Sequence, residues 1–405
     1  MKKNRYKRIE ELGWSMELLQ NTTAMVVGAG ALGNEVLKNL ALLGVGNILV
    51  ADMDVIEDHN LTRTVLFREG DIGRYKVEVA AERLREMNPD IKITSVVGKV
   101  QDVFGRGIYR HVDVVFGCLD NIQGRIDINR YCYQTQTLFI DAGLRKLDGD
   151  VKIFAPPFDV CLDCTLNEQL RETAWRRFSC LKLRHRGEDE DATIPTSPTI
   201  SSIMAGLQVQ LAIKYLHGGK IPVDYRMSVY GFIDEMNVSK MSFNPVCPTH
   251  NLYDPIIEED ITQLPHRSDE LKVGELLQII KTDLGETATI SLDYDLITRL
   301  ACNTHQSRCH ILRKRGDLYV DEAECPNCIA DGLSSVHSLM REYFVNQLDG
   351  QETEHILNST LEEIGTPLYQ IFKVKAIVND ELIYRYYEMS GDKERILGVE
   401  SQVMD

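Results

Sequence analysis

The chain of 405 residues has no apolar run approaching the roughly 18 residues that a membrane-spanning helix needs. Its first residues, MKKNRYKRIEELGW, are basic but carry no apolar segment behind them, so they do not read as a secretory signal. An excess of positive charge is also missing: 45 Lys and Arg face 61 Asp and Glu, a net charge of −16. That balance argues against a general affinity for nucleic acid, which needs a cationic face to neutralise phosphates. There is no internal repeat and no low-complexity tract. The ten cysteines are not spaced as a disulfide framework would be, for four of them form two CxxC pairs, Cys161/Cys164 and Cys325/Cys328. In a chain without export signals this spacing favours zinc. These exclusions leave a soluble cytoplasmic protein as the expectation.

What is present is an alternation of strand and helix patterns through the first 155 residues or so, which predicts an α/β fold with a doubly wound, mostly parallel sheet. TAMVVGAG reads as a strand running into Gly28-x-Gly30-x-x-Gly33, and a helix and a second strand ending at Asp52 follow. The glycines allow a tight turn and let phosphate approach backbone at a helix N-terminus, and Asp52 is placed to accept from a ribose hydroxyl. Such a turn predicts a nucleotide and does not decide which. An NAD-dependent oxidoreductase would account for the glycines and Asp52 alone.

The charged residues around the turn speak for another chemistry. NLTR supplies Asn60 and Arg63, GRYK supplies Arg74 and Lys76, and DNIQGR supplies Asp120, Asn121 and Arg125. Asp120 follows a buried-type strand, VDVVFG, and so belongs at the carboxyl edge of the sheet, where open α/β folds bind ligands. Two cations to hold a triphosphate and a carboxylate to hold Mg²⁺ suit nucleotidyl transfer, whereas hydride transfer needs no such set. A catalytically dead scaffold would have lost it.

In order along residues 5–250, RYKRI, GAGALG, the D-x-D of Asp52 and Asp54, NLTR, GRYK, DNIQGR, CLDC and CPTH resemble the superfamily of ubiquitin-activating enzymes and the adenylyltransferases of molybdopterin and thiamine sulfur carriers. The resemblance implies ATP-dependent activation of the C-terminal glycine of a small β-grasp, ubiquitin-like protein as an acyl-adenylate. By position it implies that Asp52 binds the ribose, that Arg63 and Lys76 contact the phosphates, that Asp54 and Asn60 also serve the nucleotide, and that Asp120 holds Mg²⁺. Arg8 would reach the triphosphate of a second subunit, which makes a homodimer the expectation. Arg74 stands where the family often has lysine, and Lys76 is the preferred phosphate contact of the two. Cys180, beside Arg176 and Arg177, lies where activating enzymes place the cysteine that takes the acyl group as a thioester and passes it to a conjugating enzyme. The activating enzymes encoded beside bacterial ubiquitin-like conjugation systems look similar. A sulfur-carrier adenylyltransferase leading to a thiocarboxylate is the nearest alternative, and a dehydratase acting on a modified adenosine of tRNA a more distant one.

Two groups of residues have metal-ligand spacing. Cys161 and Cys164 with Cys247 and His250 make a structural Zn²⁺ site; the family's second pair is usually CxxC, and imidazole is an acceptable replacement. Farther on, Cys302, Cys325 and Cys328 read as a zinc ribbon over about residues 295–335, with His305 or Cys309 as fourth ligand. The pattern divides the chain into an ATP-binding adenylation domain, 1–260, and an accessory domain, 261–405.

Overall fold

The computed structural model describes residues 5–170 and 195–391, and among them no helix is long and apolar enough to cross a membrane. Two compact units divide the described residues, one ending at Pro255 and the other running from Ile256 to Gly391.

The first unit opens with two short helices, α1 (Lys7–Glu11) and α2 (Met16–Asn21). Strand β1 (Thr23–Val27) follows, buried along its whole length, as a strand with helices on both faces must be. Helix α3 (Ala31–Leu43) is stopped by Gly44, whose φ of +78° is the left-handed conformation that ends helices. Then come β2 (Asn47–Asp52), α4 (Lys76–Met87), β3 (Lys92–Val97), the short α5 (Val100–Val103), β4 (Val114–Gly117) and α6 (Ile122–Thr135). Asn121 caps α6 by accepting from the Gly124 amide at 2.7 Å. Strands β5 (Leu138–Arg145) and β6 (Asp148–Phe154) turn back on each other, and β7 (Tyr225–Tyr230) and β8 (Glu235–Lys240) continue the antiparallel edge.

The eight strands lie in the order β3-β2-β1-β4-β5-β6-β7-β8, parallel from β3 to β5. The strand order reverses between β1 and β4. Chain leaving these two strands in opposite directions opens a crevice at their carboxyl ends, where such sheets bind ligands. Helix α7 (Pro198–Leu216) packs on α3, β5 and β6; Pro198 and the Ser197 cap start it. Its polar Gln208, fully buried, donates to the carbonyls of Gly117 (3.3 Å) and Ile140 (3.0 Å) near the ends of β4 and β5. One core joins α3, α4, α7 and the parallel strands.

The second unit has a six-stranded sheet in the order β11-β10-β13-β14-β9, with β12 also paired to β10. These strands are β9 (Ile261–Leu264), β10 (Thr289–Ala301), β11 (Arg308–Lys314), β12 (Arg341–Leu348), β13 (Ile371–Val378) and β14 (Glu381–Met389). A helix, Val273–Leu284, covers one core. The other half of β10 belongs to a second core, built around Ile297, Leu300 and three cysteines.

Candidate active site and zinc centres

The glycine turn follows β1 at the point where the strand order reverses, and its three glycines do different work. Gly28 has φ +98°, and a Cβ there would lie 2.6 Å from the Cys118 carbonyl at the end of β4. A Cβ on Gly33 would lie 1.9 Å from the carbonyl of Gly28, so this glycine lets α3 press onto the turn. Around Gly30 a Cβ would meet nothing within 4 Å. The open side of the turn is therefore at Gly30, the N-cap residue just before α3, where orphan N–H groups and the helix dipole favour an anion.

Asp52, at the end of β2, accepts from the amides of Ala29 (2.6 Å) and Asp54 (2.8 Å). Burial raises its pKa above the usual carboxylate value, and Lys76 opposes that rise. Lys76 begins α4; its chain is buried, and Nζ sits 2.7 Å from the Asp54 carboxylate. Arg74 instead pairs with the exposed Glu82, which leaves Lys76 as the cation beside the acidic pair. Asn60 is buried, and its side-chain oxygen accepts from the Glu57 amide at 2.9 Å, fixing the loop after β2. Arg63, three residues on, donates to the His59 carbonyl at 2.9 Å. Asp120 is exposed in the loop between β4 and α6 and makes no hydrogen bond or ion pair among the described residues. Its free carboxylate is the type of hard oxygen donor Mg²⁺ takes. Arg8 lies exposed on α1 and pairs with Glu11 at 2.7 Å. Cys180 lies outside the described residues.

Two features of this edge were not read from the sequence. Asn34, in the first turn of α3 and fully buried, donates to the carbonyls of Ala29 (2.7 Å) and Gly30 (3.1 Å) and accepts from the Leu66 amide (3.0 Å). It ties the glycine turn to the loop that carries Arg63. The signal was an amide at a helix position otherwise due to be apolar. Arg125, by contrast, turns away from solvent to grip the fully buried Asp141 of β5 through both nitrogens, with Lys152 and Asp150 beside them. Its place in DNIQGR gave no sign of that partner.

The four residues expected to bind the first zinc come together. Cys161 and Cys164 flank a short turn after β6; Cys247 precedes, and His250 lies on, helix α8 (Pro248–Leu252). Their separations are 3.9 Å (Cys161–Cys164), 3.6 Å (Cys161–Cys247), 3.6 Å (Cys161–His250 Nδ1) and 3.5 Å (Cys164–His250 Nδ1). A tetrahedral ion with Zn–S near 2.3 Å and Zn–N near 2.05 Å requires edges of about 3.8 Å between sulfurs and about 3.5 Å from sulfur to nitrogen. The donors fit zinc. His250 turns its other nitrogen to the Phe158 carbonyl at 3.1 Å, which fixes the ring as metal-binding histidines require. Asn129 of α6 accepts from the Leu162 amide at 2.8 Å and anchors the site to the sheet's helix layer.

In the second unit Cys302, His305, Cys325 and Cys328 converge, with 3.5 Å between Cys302 and Cys328 and 3.1 Å from Cys328 to His305 Nδ1. His305 Nε2 meets the Asp331 carboxylate at 2.8 Å, the same arrangement of outer partner. Of the two alternatives for the fourth donor, His305 is in the cluster, whereas Cys309 is an exposed residue of β11. Both clusters could hold zinc.

Over its matched segments the chain is 37% identical to a NEDD8-activating enzyme E1 catalytic subunit of Caenorhabditis elegans, covering 38% of each chain. It is 36% identical to SUMO-activating enzyme subunit 2 of Dictyostelium discoideum, over 38% of this chain and 24% of that one. With human ubiquitin-like modifier-activating enzyme 1 it shares 35% identity over 35% of this chain and 14% of the other. The match thus spans well under half the length of these relatives. Among solved structures, E. coli MccB with ATP superposes with a TM-score of 0.50 at 22% identity, covering 62% of this chain and 74% of MccB, a likeness of fold. Residues 4–251 match the ThiF family, which takes in the glycine turn, the acidic pair, Lys76, Asp120 and all four ligands of the first cluster, and the chain belongs to that family.

Proposed function

We propose that this protein uses ATP to activate the C-terminal glycine of a ubiquitin-like protein. The observation that carries the reading is the grouping of the open glycine turn, the Asp54–Lys76 pair and the free Asp120 carboxylate around the reversal of strand order. The ribose would bond Asp52, and the phosphates would lie at the Gly30 end of α3 with Lys76, Arg63 and Asn60. Asp120 would hold Mg²⁺, which supplies charge neutralisation for the triphosphate. A carboxylate oxygen of the carrier attacks the α-phosphorus; the bond to the bridging oxygen breaks, and pyrophosphate leaves. Lys76 and Arg63 would bear the charge that develops on the leaving group. In a homodimer, Arg8 of the partner subunit would add to it.

In a second step the Cys180 thiolate would attack the acyl-adenylate carbonyl, form a thioester and release AMP, with a conjugating enzyme as the next acceptor. The relatives' names, which speak of NEDD8, SUMO and ubiquitin-like modifiers, support this substrate class. The test is ATP–pyrophosphate exchange with a candidate carrier, followed by mass spectrometry. Asp120→Ala should abolish exchange with the fold intact, and Cys180→Ala should retain exchange and lose a thiol-sensitive adduct. Exchange with no adduct in either protein moves the reading to a sulfur-carrier adenylyltransferase. Exchange unaffected by Asp120→Ala would refute the site.

A further inference from the structure

The second unit carries a group of cations that no acid among the described residues neutralises. Strands β11, β10 and β12 lie side by side, and the pairing register shifts between Ile297 and Arg299. Before the shift Ile297 faces the cysteine-bearing core; after it, the row His310–Arg299–Tyr343 and the next, Arg308–Ala301–Arg341, share one face. The guanidinium of Arg299 lies 3.9 Å from the centre of the Tyr343 ring, and that of Arg341 lies 5.4 Å from it. Tyr343 thus braces two guanidiniums with their donor edges free.

The side chains of Arg299, Arg308, Arg341 and His310 make no ion pair or hydrogen bond among the described residues, and Arg299 Nε is a buried donor left without an acceptor. Arg308, Arg341 and His310 are exposed. The contrast is with Arg313 and Arg315 nearby, which pair with Glu322 at 2.8 Å and Glu342 at 2.7 Å. In a chain with sixteen more acidic than basic residues, acids to neutralise this face are plentiful, yet none pairs with it among the described residues. A cluster of like charges repels itself, and a buried donor without an acceptor costs stability. The repulsion is relieved by an anion from outside.

The edge beside the patch narrows the choice of anion. Strand β12 pairs with β10 on one side, and no strand of the described residues pairs with its other side. Its free N–H and C=O groups can accept a further strand, whose alternate side chains, about 6.6–6.8 Å apart, would lie on the cationic face next to Tyr343 and Arg341. Stacking of nucleic-acid bases fits less well, because the Tyr343 ring is already engaged by two guanidiniums. We infer that this face and the outer edge of β12 dock an extended acidic segment of a partner protein, by strand addition with carboxylates on alternate residues.

The experiment is fluorescence anisotropy of the full chain with a labelled peptide of alternating Glu and Thr. Saturable, salt-sensitive binding is expected, weakened about tenfold or more in Arg299→Ala/Arg308→Ala/Arg341→Ala, since each exposed pair contributes up to about fivefold. Zinc content and thermal unfolding check the fold, and the exposed double variant Arg308→Ala/Arg341→Ala serves if the triple one is unstable. A peptide N-methylated at alternate residues should bind far more weakly. The inference is overturned by absent binding, by variants that bind as wild type, or by an N-methylated peptide that binds equally. It is also overturned if oligothymidylate of equal charge binds more tightly through the same arginines.

Discussion

Substituting Gly33 and Gly30 one at a time separates the packing role of the glycine turn from its ligand role. In Gly33→Ala the new methyl group would start 1.9 Å from the Gly28 carbonyl oxygen, about 1.5 Å short of ordinary contact, and both partners are backbone. No side chain can rotate away, so α3 must move off the turn. Overpacking of this sort costs about 3 kcal/mol or somewhat more. For a unit of this size that corresponds to a fall of about 6–12 °C in Tm. In Gly30→Ala the methyl group enters open space, at φ −74°, which alanine adopts freely. The weaker helix cap and the stiffer unfolded chain nearly offset each other, so stability should change by no more than about 0.5 kcal/mol. ATP, however, would meet the methyl group at the helix N-terminus, and its Kd should rise by about tenfold, roughly 1.4 kcal/mol. Calorimetry for both quantities on both variants is the assay. If Gly33→Ala keeps the wild-type Tm, or Gly30→Ala binds ATP unchanged, the division of roles is wrong.

Lys76→Met should reduce pyrophosphate exchange by at least about a hundredfold, while Arg74→Ala, which removes a partner of Glu82 and Asp71 and no contact to the acidic pair, should stay within about twofold of wild type. Metal analysis should find two zinc ions per chain; His305→Ala should lower the content by one, and Cys309→Ser should leave it unchanged. Asp127, buried on α6, has its pKa pushed up to about 6, chiefly by burial. A carboxyl whose pKa is higher folded than unfolded holds its proton longer in the folded state. Stability is therefore lost as pH rises from about 4 to about 6, by roughly 3 kcal/mol in all. Asp127→Asn, which still accepts from Gln123, should flatten unfolding curves across that window, and an unchanged slope would refute the assignment.

The sequence made the glycine turn, Asp52 and the end of β4 legible because each is local: a strand pattern, a turn and a helix pattern within a few residues. Lys76 stood out from Arg74 by position, and the pairing of Arg74 with Glu82 supplies the physical reason. The partners of Arg125 and Asn34 were not legible, since Asp141 and Leu66 reach them only through the folded sheet. Spacing could not choose between His305 and Cys309 either. The choice is made by the ladder that holds Cys309 opposite Leu300 in β11, leaving the turn before it to supply His305. The two CxxC pairs were plain, but that His250 completes the first cluster with its other nitrogen on a carbonyl is a product of two distant turns meeting.

Strand β10 bears on how the second unit comes apart. Leu296 packs in the core beneath the helix Val273–Leu284, and the adjacent Ile297 packs in the core that holds the cysteines. One continuous strand is thus a wall of both compartments. Stripping metal from the cysteine cluster would loosen a strand whose amides also hold β13 in register at Thr289–Ser291. Amide protection should therefore fade together along β10, β12 and β13 on chelation, as a single cooperative block rather than a ribbon fraying alone.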